Sequence, residues 1–235
     1  MRHAPEAVDA ARGRRRLRRR HGLRPADPIR GIVPLAAGTL ALLLSSCATS
    51  DTGATSRGGE NLHPRLTATT YYEEGGLAFI AVDTMSARAH RDSDVLALPF
   101  MYVNKMETSV RLTAEGILLY DAEDSAYPLV GYSEFRSRHA AWLGIDRRLS
   151  LGFIQATNQY LQIEPSLLTR YRFTPLPFYA AGTGHADEVV VPPGHFTRGS
   201  IYFPMPARGV DKQRFDLLVT SSDLPEDIVL KFRTN

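Results

Sequence analysis

The chain has 235 residues, room for one or two domains, and its 43% hydrophobic and 23% charged content excludes a disordered or fibrous protein. Its net charge of +3 misdescribes the folded part: residues 1–46 hold ten of the 28 Lys+Arg and three of the 25 Asp+Glu, leaving 18 basic against 22 acidic from Cys47 onward. A mildly acidic body lacks the basic face that displaces counterions from phosphates, so nucleic acid is not an expected partner.

Residues 1–31 carry the run Arg14-Arg15-Arg16-Leu17-Arg18-Arg19-Arg20, and Pro5, Pro25 and Pro28 break any helix there. Directly ahead of an apolar segment, such a run is the charged start of a secretion signal. The apolar segment, Ile32–Leu44, has thirteen residues. A membrane-spanning helix needs about 20. Leu44-Ser45-Ser46-Cys47 closes the segment on the only cysteine of the chain. Ala48–Arg65 is rich in Thr, Ser and Gly, with Leu62 its only large apolar residue, and reads as a flexible tether. The expected organisation is a signal peptide over 1–46, a tether over 47–65 and one domain over 66–235.

From Leu66 the pattern changes to short apolar runs between turn residues. Leu77–Val82 and Val95–Val103 are continuous runs of strand length, with Pro99 expected to put the second at an edge or bulge. Ser109–Thr113 alternates, Glu115-Gly116 turns the chain into Ile117–Tyr120, and Asp121–Ser125 is an acidic turn before a short strand in Tyr127–Tyr132. Val189–Val191, Ser200–Phe203, Phe215–Val219 and Ile228–Phe232 complete the strands. Many short strands separated by turns indicate an all-β sandwich or barrel.

The stretch 133–164 differs. Ile145, Leu149, Phe153, Ala156, Tyr160 and Ile163 recur at steps of three or four, the spacing of one helix face. Gly144 and Gly152 are expected to divide this helical insertion, and Pro165 to stop it. Ser166–Ala181, with Pro175 and Pro177 among aromatics, is expected to be extended without being a central strand.

Two resemblances follow from these residues. Leu44-Ser45-Ser46-Cys47 resembles the lipobox of bacterial lipoproteins. That resemblance implies a diacylglycerol thioether on Cys47, cleavage before it, and a further acyl chain such as palmitate on the new amino group. Two or three chains anchor firmly where one does so only marginally. Ala48, in place of the Asp that signals inner-membrane retention in enterobacteria-like lipoproteins, leans toward the outer membrane, facing the periplasm. The order Val103-Asn104-Lys105, Val110–Asp121, Val191-Pro192-Pro193-Gly194 through Pro204, then Phe215–Val219 resembles immunoglobulin-like β-sandwich domains of uncharacterised envelope lipoproteins. It implies a mainly β, antiparallel immunoglobulin-like sandwich with a helical insertion, and no particular chemistry.

Candidate chemistry is sparse. Gly131-Tyr132-Ser133-Glu134-Phe135 is half of a nucleophile elbow, with Phe135 where the second glycine belongs; Ser133 with His139 and a carboxylate that the sequence does not place would sketch a hydrolase, but a serine at the start of a helix is more often its cap. His90-Arg91-Asp92 echoes a kinase catalytic loop but lacks the following asparagine and a glycine-rich phosphate loop. His185, Asp187 and His195 have the donor types of a transition-metal site, and the acidic turn at Asp121, Glu123 and Asp124 those of Ca²⁺, but neither has a motif that pins it. Trp142, Tyr171, Phe173, Phe178 and Tyr179 are candidates for a stacking platform that takes a sugar or an envelope partner, or for a plug at one end of the sandwich. The reading is therefore a lipid-anchored envelope protein that binds or scaffolds, with hydrolase, metal-binding and carbohydrate-binding readings beside it, and no cofactor is called for.

Overall fold

The computed structural model describes residues 61–163, 171–180 and 184–234. All belong to one compact unit, Ser50–Asn235. The leader, Cys47 and the expected tether up to residue 60 lie outside the described residues. The strands are β1 (Thr70–Glu74), β2 (Ala78–Asp83), β3 (Val95–Asn104), β4 (Val110–Thr113), β5 (Ile117–Asp121) and β6 (Ala126–Pro128), followed by β7 (Arg172–Pro175), β8 (Glu188–Val191), β9 (His195–Pro204), β10 (Arg214–Val219) and β11 (Ile228–Arg233). The helices are α1 (Met85–Ala89), α2 (Tyr132–Arg138), a 3-10 turn at Ala140–Trp142, α3 (Leu143–Leu149) and α4 (Leu151–Tyr160). The protein is mainly β, with few helices, as expected.

A five-stranded sheet runs β1-β2-β3-β9-β7, a four-stranded antiparallel sheet β11-β10-β5-β6, and β4 pairs with β8 alone. The five-stranded sheet is mixed, because the edge strand β7 runs parallel to β9. One apolar cluster takes Ile80, Val82, Phe100 and Ile201 from the five-stranded sheet and Leu119, Leu217, Leu230 and Phe232 from the other. The two sheets thus face each other across a shared core, and Tyr71 of β1 meets Phe232 of β11 with ring centroids 6.2 Å apart.

The opposite face of the five-stranded sheet is also covered. Phe79, Ala81, Met101, Val103 and Phe196 form a second buried cluster with Phe153 of α4. Successive strand residues point to opposite faces. With both faces covered, all six residues of β2 and all ten of β3 are buried. That is why these two strands read as continuous apolar runs. Strand β4, by contrast, alternates buried and accessible residues.

Two expectations about local breaks are corrected. The strand holding Pro99 is central, paired with β9 across Pro99 and Ser200. Its pairing with β2 ends at Val82 and Phe100, so Pro99 sits one residue past the end of that neighbour, where its missing N–H costs the β2 ladder nothing. The helical segment divides at His139 and Ser150, not at Gly144 and Gly152, which lie inside α3 and α4. The short strand expected in 127–132 is the three-residue β6, and the chain goes from it into α2 at Tyr132.

Side-chain chemistry fixes the connections. Asn104 donates from Nδ2 to the Thr108 and Val191 carbonyls and accepts the Met106 N–H at Oδ1, tying the end of β3 to its turn and to β8. The Val191-Pro192-Pro193-Gly194 turn closes through the His195 N–H on the Pro192 carbonyl, and Gly194 adopts φ 67°, which glycine takes without steric cost. Hydrogen-bonded structure begins ahead of the expected boundary at 66. His63 donates its N–H to the Lys231 carbonyl on β11 and Tyr72 of β1 donates to the Pro64 carbonyl, so residues 63–64 bridge one edge of each sheet.

Candidate functional site

The covered face of the five-stranded sheet gathers the polar and aromatic residues of most interest. Register places Phe196, Arg198, Ser200 and Tyr202 of β9 on that face, beside Val103, Met101, Pro99 and Ala97 of β3. Helix α4 covers one end and the segment from α2 to α3 the other.

At the second end lies a buried polar knot. Asp146 of α3 accepts a hydrogen bond from His90 Nε2 at 2.9 Å and another from the Tyr202 hydroxyl at 2.8 Å. Asp146 and Tyr202 are 0% exposed and His90 is 1% exposed. Burial first, and then the charge and hydrogen bond of Asp146, push the Tyr202 phenol far above its ordinary value, so it stays protonated and donates. Trp142 covers His90 at 4.2 Å between ring centroids, and Phe135 and Tyr179 pack on Tyr202 at 4.4 and 4.9 Å. A His–Asp–Tyr cluster has the parts of an acid–base relay. Enclosed on all sides, it offers no surface to a substrate and acts here to pin the helical segment to the sheet.

The other end is partly open. Phe173 of β7 is 53% exposed and meets Phe196 at 5.4 Å. The Arg198 guanidinium lies 5.9 Å from the Phe173 ring centroid and 5.6 Å from that of Phe196, and Nη1 donates to Asn158 Oδ1 of α4 at 3.0 Å. Burial lowers the pKa of Arg198, and among the described residues no carboxylate lies within ion-pair distance of it.

Helix α4 is clamped at its end by Glu74, whose carboxylate accepts from Lys105 Nζ and the Tyr160 hydroxyl. Tyr160 also packs on Tyr72 and Phe79 at 5.0 and 5.7 Å. Burial pushes the Glu74 carboxyl up, but the bonds from Lys105 and Tyr160 outweigh it and hold the carboxyl below its ordinary value of 4.5. A depressed native pKa gives stability that is complete above that value and fades as pH falls through the native one. Glu74→Gln is therefore expected to flatten the stability curve below about pH 4.5, while wild type loses stability there; urea unfolding at pH 7, 4.5 and 3 checks it.

The residues singled out from sequence are scattered. Ser133 lies in the first turn of α2 on the exposed side, whereas His139, past the end of α2, is buried beside Asp94 with Nε2 3.5 Å from Oδ1. Gly131, not Ser133, holds the cap position of α2. His185 stacks on Tyr132 at 3.6 Å, bonds through Nδ1 to the Phe178 carbonyl and lies 3.3 Å from Asp187. His195 instead bonds to Thr174 Oγ1 through Nδ1. Among the described residues no three His, Cys, Asp or Glu side chains gather as metal ligands, so the grouping of His185, Asp187 and His195 is corrected. Asp121 accepts the Glu123 and Ser125 N–H groups and the Tyr127 hydroxyl, which makes the acidic stretch a hydrogen-bonded turn.

The five candidate aromatics do not share one surface. Phe178 and Tyr179 are buried in the main core, and Tyr171 is buried in the second cluster with Phe153. Trp142 is partly covered against His90, and Phe173 alone is more than half exposed. The apolar spacing that marks the helical segment does not include Asp146, which is polar and buried. The steps Trp142, Asp146, Leu149, Phe153 and Thr157 have helical spacing too, and they contain the three buried side chains of α3 and α4.

No helix among the described residues is long and apolar enough to cross a membrane. No family model matches the chain. No curated protein matches it either. Solved structures similar to it include two from Bacillus subtilis. One is the "putative lipoprotein" ycdA, at 10% identity and a TM-score of 0.36 over 69% of this chain. The other is the yjhA protein, at 10% identity and a TM-score of 0.35 over 68% of this chain and 95% of that one. The chain spans 38% of the length of ycdA. Likeness at this level says nothing of the chemistry of this chain.

Proposed function

We propose that the protein is a lipid-anchored component of the cell envelope, acylated at Cys47, that works as a binding or scaffold module and not as an enzyme. The observation that carries this reading is the position of the only cysteine, directly after Leu44-Ser45-Ser46 at the end of a thirteen-residue apolar run with an arginine block ahead of it. We read the domain as an immunoglobulin-like sandwich whose outer face carries the helical insertion. Two sheets facing each other across one core support that, and the parallel β7 departs from it. Ala48 after the cysteine supports the outer membrane, with the domain toward the periplasm.

The exposure of Ser133, the burial of His139 and the enclosure of the His90–Asp146–Tyr202 knot favour binding over hydrolysis. Among the binding readings, a saccharide partner draws support from Phe173, the accessible ring of the five aromatics, and an envelope protein partner remains the second reading. The anchor is tested by metabolic labelling with palmitate. Wild type is expected to label and to sediment with membranes, and Cys47→Ser to do neither. A Cys47→Ser protein that still labels and sediments overturns it.

A further inference from the structure

We infer that the Phe173–Arg198 surface binds an acidic sugar, with its carboxylate on the Arg198 guanidinium and its ring against Phe173. This deepens the binding reading above and does not depend on the anchor.

Three observations carry it. Arg198 is partly buried beside two aromatic rings, and its one hydrogen-bond partner among the described residues is the neutral amide of Asn158. A cation withdrawn from water without an anion is costly, and a ligand carboxylate would relieve that cost through a charge-assisted pair. The guanidinium is planar and carries five N–H donors in a fixed fork, of which the Asn158 contact takes one, so donors remain for a carboxylate. Asn158 also fixes the orientation of the fork before any ligand arrives, which reduces the ordering cost of binding.

The ring specificity comes from Phe173. Phe173 is 53% exposed, while its neighbour Phe196 is buried. An exposed aromatic next to a half-buried cation suits a molecule with a flat apolar face and a charged group on its rim, and a sugar acid has both. The domain carries more acidic than basic residues from Cys47 onward. Among the described residues Arg198 is a cation without an ion-pair partner beside an exposed ring, and it supplies local positive charge in a body of net negative charge.

The test is calorimetric titration of the full-length protein in detergent micelles with glucuronate, glucose and acetate. Glucuronate is expected to bind saturably with a dissociation constant of about 1 mM, and glucose and acetate at least about tenfold more weakly. Arg198→Gln and Phe173→Ala are each expected to weaken glucuronate about tenfold. Arg198→Lys, which keeps the charge without the fork, should lie between Arg198→Gln and wild type. Circular dichroism confirms that each variant is folded, and Phe173→Ala, at an exposed edge strand, is the variant least exposed to folding failure. The proposal is overturned if glucuronate shows no saturation up to about 50 mM, if acetate binds as tightly, or if both variants bind as wild type does. Palmitate labelling reads the anchor separately, so failure here leaves that claim standing, and loss of the anchor leaves this one.

Discussion

Asp146→Ala is expected to destabilise the domain by about 2–5 kcal/mol, the cost of leaving two buried hydrogen-bond donors without their shared acceptor. The carboxylate accepts from two buried groups, His90 Nε2 and the Tyr202 hydroxyl. Without it, each donor is left unpaired inside the protein at about 1–3 kcal/mol. Asp146→Asn is expected to cost less, because the amide oxygen keeps one of the two bonds while the NH₂ group confronts the other donor. Urea unfolding at constant pH measures both. A loss below about 1 kcal/mol for Asp146→Ala would mean the knot does not pin the helical segment. The sheet strands on either side of Tyr202 should retain their register in all variants, since the β3–β9 ladder is independent of the knot.

Phe153→Ala is expected to cost about 3–5 kcal/mol, measured as the loss of a fully packed aromatic. Phe153 is 2% exposed and is the large apolar side chain that α4 drives into the cluster of Phe79, Met101, Val103 and Phe196. A ten-residue helix is marginal on its own and depends on such packing. The loss should therefore be partly local. Hydrogen exchange at α4 amides should accelerate more than at β3 or β9, and Asn158 should release Arg198 as α4 frays. Uniform acceleration across both sheets would instead assign Phe153 to the global core.

How far the sequence predicts this fold differs from element to element. β2 and β3 were legible because burial on both faces leaves no polar residue inside either run except Asn104 and Asp83 at their ends. Strand β11 alternates in sequence, yet Lys231 is buried as well as Leu230 and Phe232, and nothing in the alternation signals that. The helical segment was legible as helix but not in its breaks, which fall at His139 and Ser150 instead of the glycines. Glycine propensity costs about 1 kcal/mol and is readily overridden by packing. The polar knot was hidden for a different reason. Asp146, His90 and Tyr202 come from three distant parts of the chain, and each in isolation is an ordinary polar residue. Arg198 lay ahead of the expected strand Ser200–Phe203; only the longer β9 puts it between the buried rings of Phe196 and Tyr202 on one face.

The aromatic residues show the same limit. Sequence proximity groups Tyr171, Phe173, Phe178 and Tyr179, but the chain crosses from one cluster to the other between Tyr171 and Phe178, with Phe173 exposed between them. Side-chain type and spacing identify rings that will be used. They do not say which rings end in the core and which remain accessible, because that depends on the helices laid over the sheet.

The most direct measurement of the central claim is the intact mass and N-terminal residue of the protein purified from membranes. The mature chain is expected to begin at Cys47 and to carry the mass of two or three acyl chains with the thioether-linked glyceryl group. A mature protein with an unmodified Cys47, or one whose N-terminus lies elsewhere, would contradict it.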